Sequence, residues 1–189
     1  IFSRDGVQII SVNLLLENDS DPVIWRGPIL AGTVKQFYSD VLWHEVDVMF
    51  IDMPPGTSDA ALTVMQSLPV TGIILVTSPQ DLAGMVVRKA AHMAGHLNTP
   101  LIGLVENMSY AVCPHCGERY TLFGKGDTKA MAEAFNTRFL GEIGIDPRMA
   151  ELGDKGAIEQ YESADFDAVI ALGDATIEQA PPTKPARAS

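Results

Sequence analysis

Only two cysteines occur in 189 residues, three positions apart, so no disulfide framework staples this chain. No apolar run approaches the roughly 18 residues of a membrane-crossing helix, and no signal-peptide pattern opens the sequence. The expectation is a cytoplasmic protein that does not engage a membrane. Basic charge is scarce: 13 Lys and Arg against 24 Asp and Glu leave a net charge of −11. That balance argues against nucleic acid and anionic lipid as partners, since both reward clustered cations. Internal repeats and an inner linker are lacking. The length therefore fits a single domain over residues 1–178, and the composition of 179–189 reads as a disordered tail. The chain opens Ile-Phe-Ser-Arg without an initiator methionine, which reads as the edge of a longer protein.

What is present is an ordinary globular balance, 47% apolar and 20% charged residues. The organising stretch is 46–79, VDVMFIDMPPGTSDAALTVMQSLPVTGIILVTSP. Residues 46–51 form a short apolar run that fits a strand buried on both faces, and 72–77 form a second. Between them Asp59 is the expected N-cap of a helix, AALTVMQSL. This βαβ unit predicts an α/β fold, a doubly wound and mainly parallel sheet with helices on both faces. It places Asp52 at the carboxyl end of a strand, the edge where such sheets bind ligands. A carboxylate there, followed by a Gly-containing turn, suits a Mg-nucleotide site; a helix-capping Asp on a plain βα loop is the competing reading.

The remaining elements follow from pattern. Residues 7–16 read as a strand and 28–42 as a helix with Leu30, Val34, Phe37, Val41 and Leu42 on one face. Residues 81–97 form an amphipathic helix whose stripe is Leu82, Met85, Val86, Ala90, Met93 and Leu97. His92 and His96, four apart on it, lack a third ligand nearby in sequence. A buried strand at 100–105 ends in Glu106-Asn107-Met108. Beyond the cysteine loop at 109–125 come a helix at 127–136, a strand at 139–143, a helical turn at 146–152 and a closing helix at 165–178. Asp52, Ser78 and Asn107 thus each fall at a strand end, along one sheet edge. Asn107 can offer a donor and an acceptor to a purine edge, or can serve as a turn residue tolerant of the left-handed region. The phosphate loop GxxxxGK[ST] is missing, and Gly124-Lys125-Gly126 is a turn.

Cys113-Pro-His-Cys116-Gly117 is the sharpest local signal. Thiol–disulfide exchange would want the first cysteine at a helix N-terminus, and no helical period follows. A zinc knuckle and an iron–sulfur cluster both want four ligands, and this chain supplies two cysteines with His115 pinned between them. Both metal readings therefore predict two subunits meeting at this loop on a two-fold axis. A buried structural thiol pair is the remaining alternative.

VIWRGP at 23–28, IDMPPGT at 51–57, VTSPQD at 76–81 and VENMSY at 105–110, followed by CPHCG at 113–117, together resemble the Mrp/ApbC family, a branch of the MinD/ParA-like deviant P-loop ATPases. The resemblance runs in order from about residue 7 to 164. It implies a partial P-loop NTPase-like fold and an iron–sulfur cluster carrier that passes clusters to apo iron–sulfur proteins. By it, Asp52 is the Walker-B-type carboxylate near Mg, and Pro54, Pro55, Gly56 and Thr57 form the switch loop that senses the terminal phosphate of ATP. Asn107 is the residue that reads adenine. Cys113 and Cys116 are the pair that holds a 4Fe–4S cluster across a homodimer, with zinc as the alternative occupant. Two departures stand out. Ser58 replaces the family's usual Gly, which predicts a stiffer switch loop. The Walker A loop with its lysines is not in this sequence, so this chain alone is expected to lack useful ATPase activity. The alternatives kept beside the carrier are a ParA/MinD-type nucleotide switch with structural zinc, and a binding module without nucleotide chemistry.

Overall fold

In a computed structural model the chain forms two compact units, Ile1–Leu68 and Pro69–Ser189. Residues 1–16, 18 and 27–177 are described, with side chains to residue 172. The expected tail at 179–189 and residues 23–26 of the VIWRGP segment lie outside them. Among the described residues, no helix is long and apolar enough to cross a membrane.

The first unit contains a 3₁₀ turn at Val12–Leu15 and two helices packed on each other, α1 (Gly27–Ser39) and α2 (Asp59–Ser67). Both strands expected here are absent. Residues 7–16 contribute one isolated bridge, Phe2 to Gln8, and then the 3₁₀ turn. Residues 46–51 have no ladder pairing, and Val48 and Phe50 stand 56% and 80% exposed. The physical reason is that an apolar run becomes a buried strand only between neighbours that satisfy its backbone and cover its faces. One side chain ties the first segment to the residues just before the second. The Gln8 amide donates through Nε2 to the His44 carbonyl, and its Oε1 accepts the His44 N–H at 2.9 Å, imitating a rung of a ladder. Helix α1 stops at Ser39, short of the expected 42, and Leu42 is 85% exposed. Leu30, Val34, Phe37 and Val41 are half-buried.

The second unit is a four-stranded sheet. β1 (Ile73–Thr77) and β4 (Arg138–Ile145) each pair in parallel with the long β2 (Leu101–Val112), and the short β3 (Arg119–Tyr120) pairs antiparallel with its end. α3 (Asp81–His96) packs on β1, α4 (Thr128–Ala134) on β2 and β4, and α6 (Ala164–Ile177) on β4 and β2. Residues 102–106 of β2 are buried without alternation, as expected of a strand covered on both sides. Leu104 and Leu140 are essentially sealed, and Val105, Leu140 and Ile143 pack against Phe166 and Val169 of α6. Burying each of these large side chains stabilises the unit by about 1.5–3 kcal/mol. The α5 helix (Pro147–Asp154) and a 3₁₀ turn at Ile158–Gln160 complete the unit.

Three expectations are corrected here. β1 was expected to be buried on both faces, but it alternates, with Ile74 and Val76 exposed, because α3 covers one face only within this unit. The buried stripe of α3 is Gly84, Val87, Ala90, Ala91 and Ala94, while Leu82, Met85 and Val86 are exposed. Small residues let the helix axis sit close to its neighbours: a Cβ on Gly84 would meet the Met131 methyl of α4 at 3.3 Å. The strand expected to end at Asn107 instead continues to Val112.

Candidate functional site

The cysteine turn is the tip of the β2–β3 hairpin. The Cys113 N–H donates to the Glu118 carbonyl and the Gly117 N–H to the Cys113 carbonyl, both at 2.9 Å. Gly117 sits at φ +73, which lets the chain reverse at once. Cys113 is half-buried and Cys116 exposed, both as free thiols. Backbone N–H groups of Cys116 and then His115 point at the Cys113 sulfur, and the Cys116 side chain adds a further hydrogen bond. Together they hold the Cys113 thiol below its ordinary range against a small opposing effect of burial. This favours the thiolate, the form that ligates metal. A strand follows the pair rather than a helix, so the helix-dipole geometry of a disulfide exchanger is not formed. Among the described residues no three His, Cys, Asp or Glu side chains gather where they could hold a metal. His92 packs edge-on against Phe135, with ring centroids 5.2 Å apart.

Asn107 stands in a bulge of β2, not at its end. The pairing with β4 is interrupted between Asn107 and Ala111, and Met108 adopts φ +57. Asn107 Oδ1 accepts the Met108 N–H at 2.9 Å and the Ser109 hydroxyl donates to the Glu106 carbonyl at 2.9 Å, so the bulge carries its own hydrogen bonds. One lone pair of the Asn107 carbonyl oxygen is thus engaged locally, and its amide NH₂ is a further donor that it can offer. Thr77 of β1 pairs with Glu106, so Ser78 and Asn107 follow neighbouring positions of the two strands, although only Ser78 comes at a strand end. Asp52 stands in the other unit, outside this sheet.

In the first unit Asp52, Pro54, Pro55 and Thr57 are exposed in a loop that does not follow a strand, and Gly56 turns it at φ +79. Ser58, not Asp59, caps α2: its hydroxyl accepts the Ala61 N–H at 3.3 Å, and Asp59 begins the helix. The departure from the family's Gly thus supplies a cap. The N-termini of α1 and α2 converge, since a Cβ on Gly27 would lie 3.7 Å from Asp59 Oδ2.

Several groups near the hairpin were not legible in the sequence. Glu106 is buried beside Asn107 and accepts a hydrogen bond from the Thr128 hydroxyl. Past the bulge, Tyr110 donates to Asp165, whose Oδ2 also accepts the Gly144 N–H at 3.0 Å. Burial first, and the hydrogen bond to Asp165 next, push the Tyr110 hydroxyl up to about 12. Tyr110 and Val112 line a cleft of about 300 Å³ with Gly144, Asp146, Tyr161 and Asp165. On its rim the Arg148 side chain, hydrogen-bonded to Asp146, lowers that carboxyl to about 2, and Tyr161 donates to it at 3.1 Å. Apart from Asp146 and Arg148, two positions apart, these partners are brought together by the fold across 15 to 55 residues.

Similarity to known proteins bears on the family and the fold. Residues 2–175 match the family model described as ParA, NUBPL iron-transfer P-loop NTPase. The iron-sulfur cluster carrier protein of Methanocaldococcus jannaschii is 45% identical over 157 residues, covering 82% of this chain and 54% of that protein. The protein of the same name from Saccharolobus solfataricus is 44% identical over 152 residues, covering 80% and 51%. The chain thus spans about half the length of these curated relatives. A solved nucleotide-binding protein from Archaeoglobus fulgidus, in complex with ADP and with Co, superposes at a TM-score of 0.73 with 40% identity, over 87% of this chain and 63% of that one. The α/β fold and the family resemblance expected from the motifs are borne out: this chain belongs to the ParA-like, NUBPL iron-transfer family of P-loop NTPases.

Proposed function

We propose that the protein is an iron–sulfur cluster carrier: two copies meet at the hairpin tip and hold a 4Fe–4S cluster, as cargo, on Cys113 and Cys116 of each. The cluster is passed to apo iron–sulfur proteins in the cytoplasm. The observation that carries this reading is the turn itself. Two free thiols sit at an accessible tip, with backbone N–H groups aimed at the Cys113 sulfur, and no third ligand stands with them among the described residues. A cluster that wants four thiolates is then completed by a second copy. Exposed apolar side chains around the tip, Val112, Tyr120, Leu122 and Phe123, suit burial against that copy.

Nucleotide handling belongs to the same proposal. The amide of Asn107 donates to the adenine edge, Asp52 holds the water shell of Mg, and Pro54, Pro55, Gly56 and Thr57 form the loop that answers to the terminal phosphate. Hydrolysis of ATP by the whole protein supplies the free energy, and the switch loop relays nucleotide state to the subunit interface.

The test is iron, sulfide and zinc content of anaerobically reconstituted protein resolved by gel filtration, beside a Cys113→Ala/Cys116→Ala variant. About four irons and four sulfides per dimer are expected, with cluster and dimer both lost in the variant. Zinc alone would replace the carrier by a nucleotide switch with a structural metal. A monomer indifferent to the substitutions would sink both.

A further inference from the structure

Tyr110 lies midway between the bulge at Met108 and the turn at Cys113, and four elements meet on it. Its hydroxyl donates to Asp165 in the first turn of α6. Its ring rests on β4 at a point that only glycine allows, since a Cβ on Gly144 would fall 2.7 Å from the ring. The guanidinium of Arg119 on β3 lies 4.1 Å from the ring centroid, a cation–π contact. The same Asp165 oxygen binds the Gly144 N–H, so one carboxylate ties strand, hairpin and helix together. Past the bulge the backbone of β2 meets β4 only at the Ala111–Ile145 pair, and it meets β3 at two pairs. Without a side-chain tie the hairpin would lean on very little.

Alternation of side chains places Tyr110 and Val112 on one face of β2, and Arg119 pairs with Val112 on that face. The anchor therefore acts on the face that lines the cleft, and it reaches both limbs of the hairpin: Tyr110 on the outgoing strand and Arg119 on the returning one. Asp165 is itself fixed in the first turn of α6, where its N–H donates to the Ser163 hydroxyl at 3.3 Å.

We infer that Tyr110 is a positioning residue for the cysteine turn: through Asp165 and Gly144 on one side and Arg119 on the other, it fixes the angle at which Cys113 and Cys116 are presented. Its consequence for cluster handling rests on the carrier reading above, whereas the anchor itself does not.

Two measurements separate them. The first is amide hydrogen exchange in the apo protein for wild type, Tyr110→Phe and Asp165→Asn, with Tyr161→Phe as comparison. Loss of one hydrogen bond is expected to speed exchange at the Cys113 and Gly117 amides roughly five- to tenfold. Amides of β1 and α3 stay as in wild type, and the double variant goes no further than either single one, since both remove the same bond. Arg119→Gln, which keeps the Tyr110–Asp165 bond, gives a smaller change and serves should Asp165→Asn disturb α6. The second is made after anaerobic reconstitution. Tyr110→Phe retains the wild-type iron content but changes the visible circular dichroism of the cluster and speeds its loss to a chelator several-fold. Unchanged exchange at Cys113 and Gly117 in Tyr110→Phe overturns the inference. If wild type takes up no cluster, the carrier reading fails while the exchange data still decide the anchor. A Tyr110→Phe protein with altered exchange but unaltered cluster dichroism and release overturns the positioning role and leaves a purely structural one.

Discussion

A Cβ on Gly126 would lie 2.0 Å from Oε2 of Glu106, so the backbone of the loop returning from the cysteine hairpin closes directly over a buried carboxylate. The same oxygen accepts the Thr128 hydroxyl at the start of α4. Gly126 is therefore a contact requirement, not a spacer. Gly126→Ala is expected to destabilise the second unit by about 1–3 kcal/mol through overpacking. Thr128→Val, which leaves the buried carboxylate short of a partner, costs about 1–3 kcal/mol. A fall in the urea midpoint at constant slope, followed by far-ultraviolet circular dichroism, checks both.

Ser58 offers a test in the first unit. Its hydroxyl caps α2, so Ser58→Ala should cost about 1 kcal/mol, while Ser58→Gly, the residue usual in the family, should cost only a few tenths. Both tryptophans, Trp25 and Trp43, precede residue 69, so tryptophan fluorescence reports this unit. Equal losses in the two variants would rule out the cap.

Phe50 and Leu104 look alike in the sequence, each in a short apolar run, yet one is 80% exposed and the other sealed. Phe50→Ser should change stability by less than about 0.5 kcal/mol, whereas Leu104→Ala should cost about 2–5 kcal/mol. A large loss at Phe50 would mean that residues 46–51 are buried after all.

The raised Tyr110 hydroxyl gives a pH signature. Its folded value of about 12 lies above the ordinary 10, so its contribution to stability is complete below about pH 10 and is lost as pH rises through 12. In Tyr110→Phe the alkaline decline over that window should be shallower. Absorbance titration at tyrosinate wavelengths should show one fewer late-ionising group than in wild type. A Tyr110 that titrates with the exposed tyrosines would contradict the buried bond to Asp165.

The second unit was readable because its signals are local. The helices near 81–97 and 127–136 carry the period of a buried stripe, and the strands near 72–77 and 139–143 appear within a few residues of their expected bounds. Which face α3 buries was not readable. Hydropathy rewards Leu82 and Met85, but close approach rewards Gly84, Ala91 and Ala94, and close approach decided. The strands expected at 7–16 and 46–51 failed for a different reason: apolarity states a preference for burial, and only neighbours can grant it. The cysteine pair stood out because its two thiols are spaced along the chain itself, whereas Asn107 drew attention only through an expected strand end and the family resemblance. Tyr110 and Asp165 are 55 positions apart, and no local pattern joins them.

β2 carries Asn107 and, six positions later, hands the chain to Cys113. At about 3.3 Å per residue the strand is a rod, and the stretch from Met108 to the cysteine spans roughly 16 Å. The bulge at Met108 is its fulcrum. A tilt there of about ten degrees sweeps the tip through roughly 3 Å, comparable to the length of a hydrogen bond. The hairpin is in this sense a lever arm, and Tyr110 is the stay that holds it partway along. A small displacement beside Asn107 would thus reach the thiols enlarged, by leverage alone.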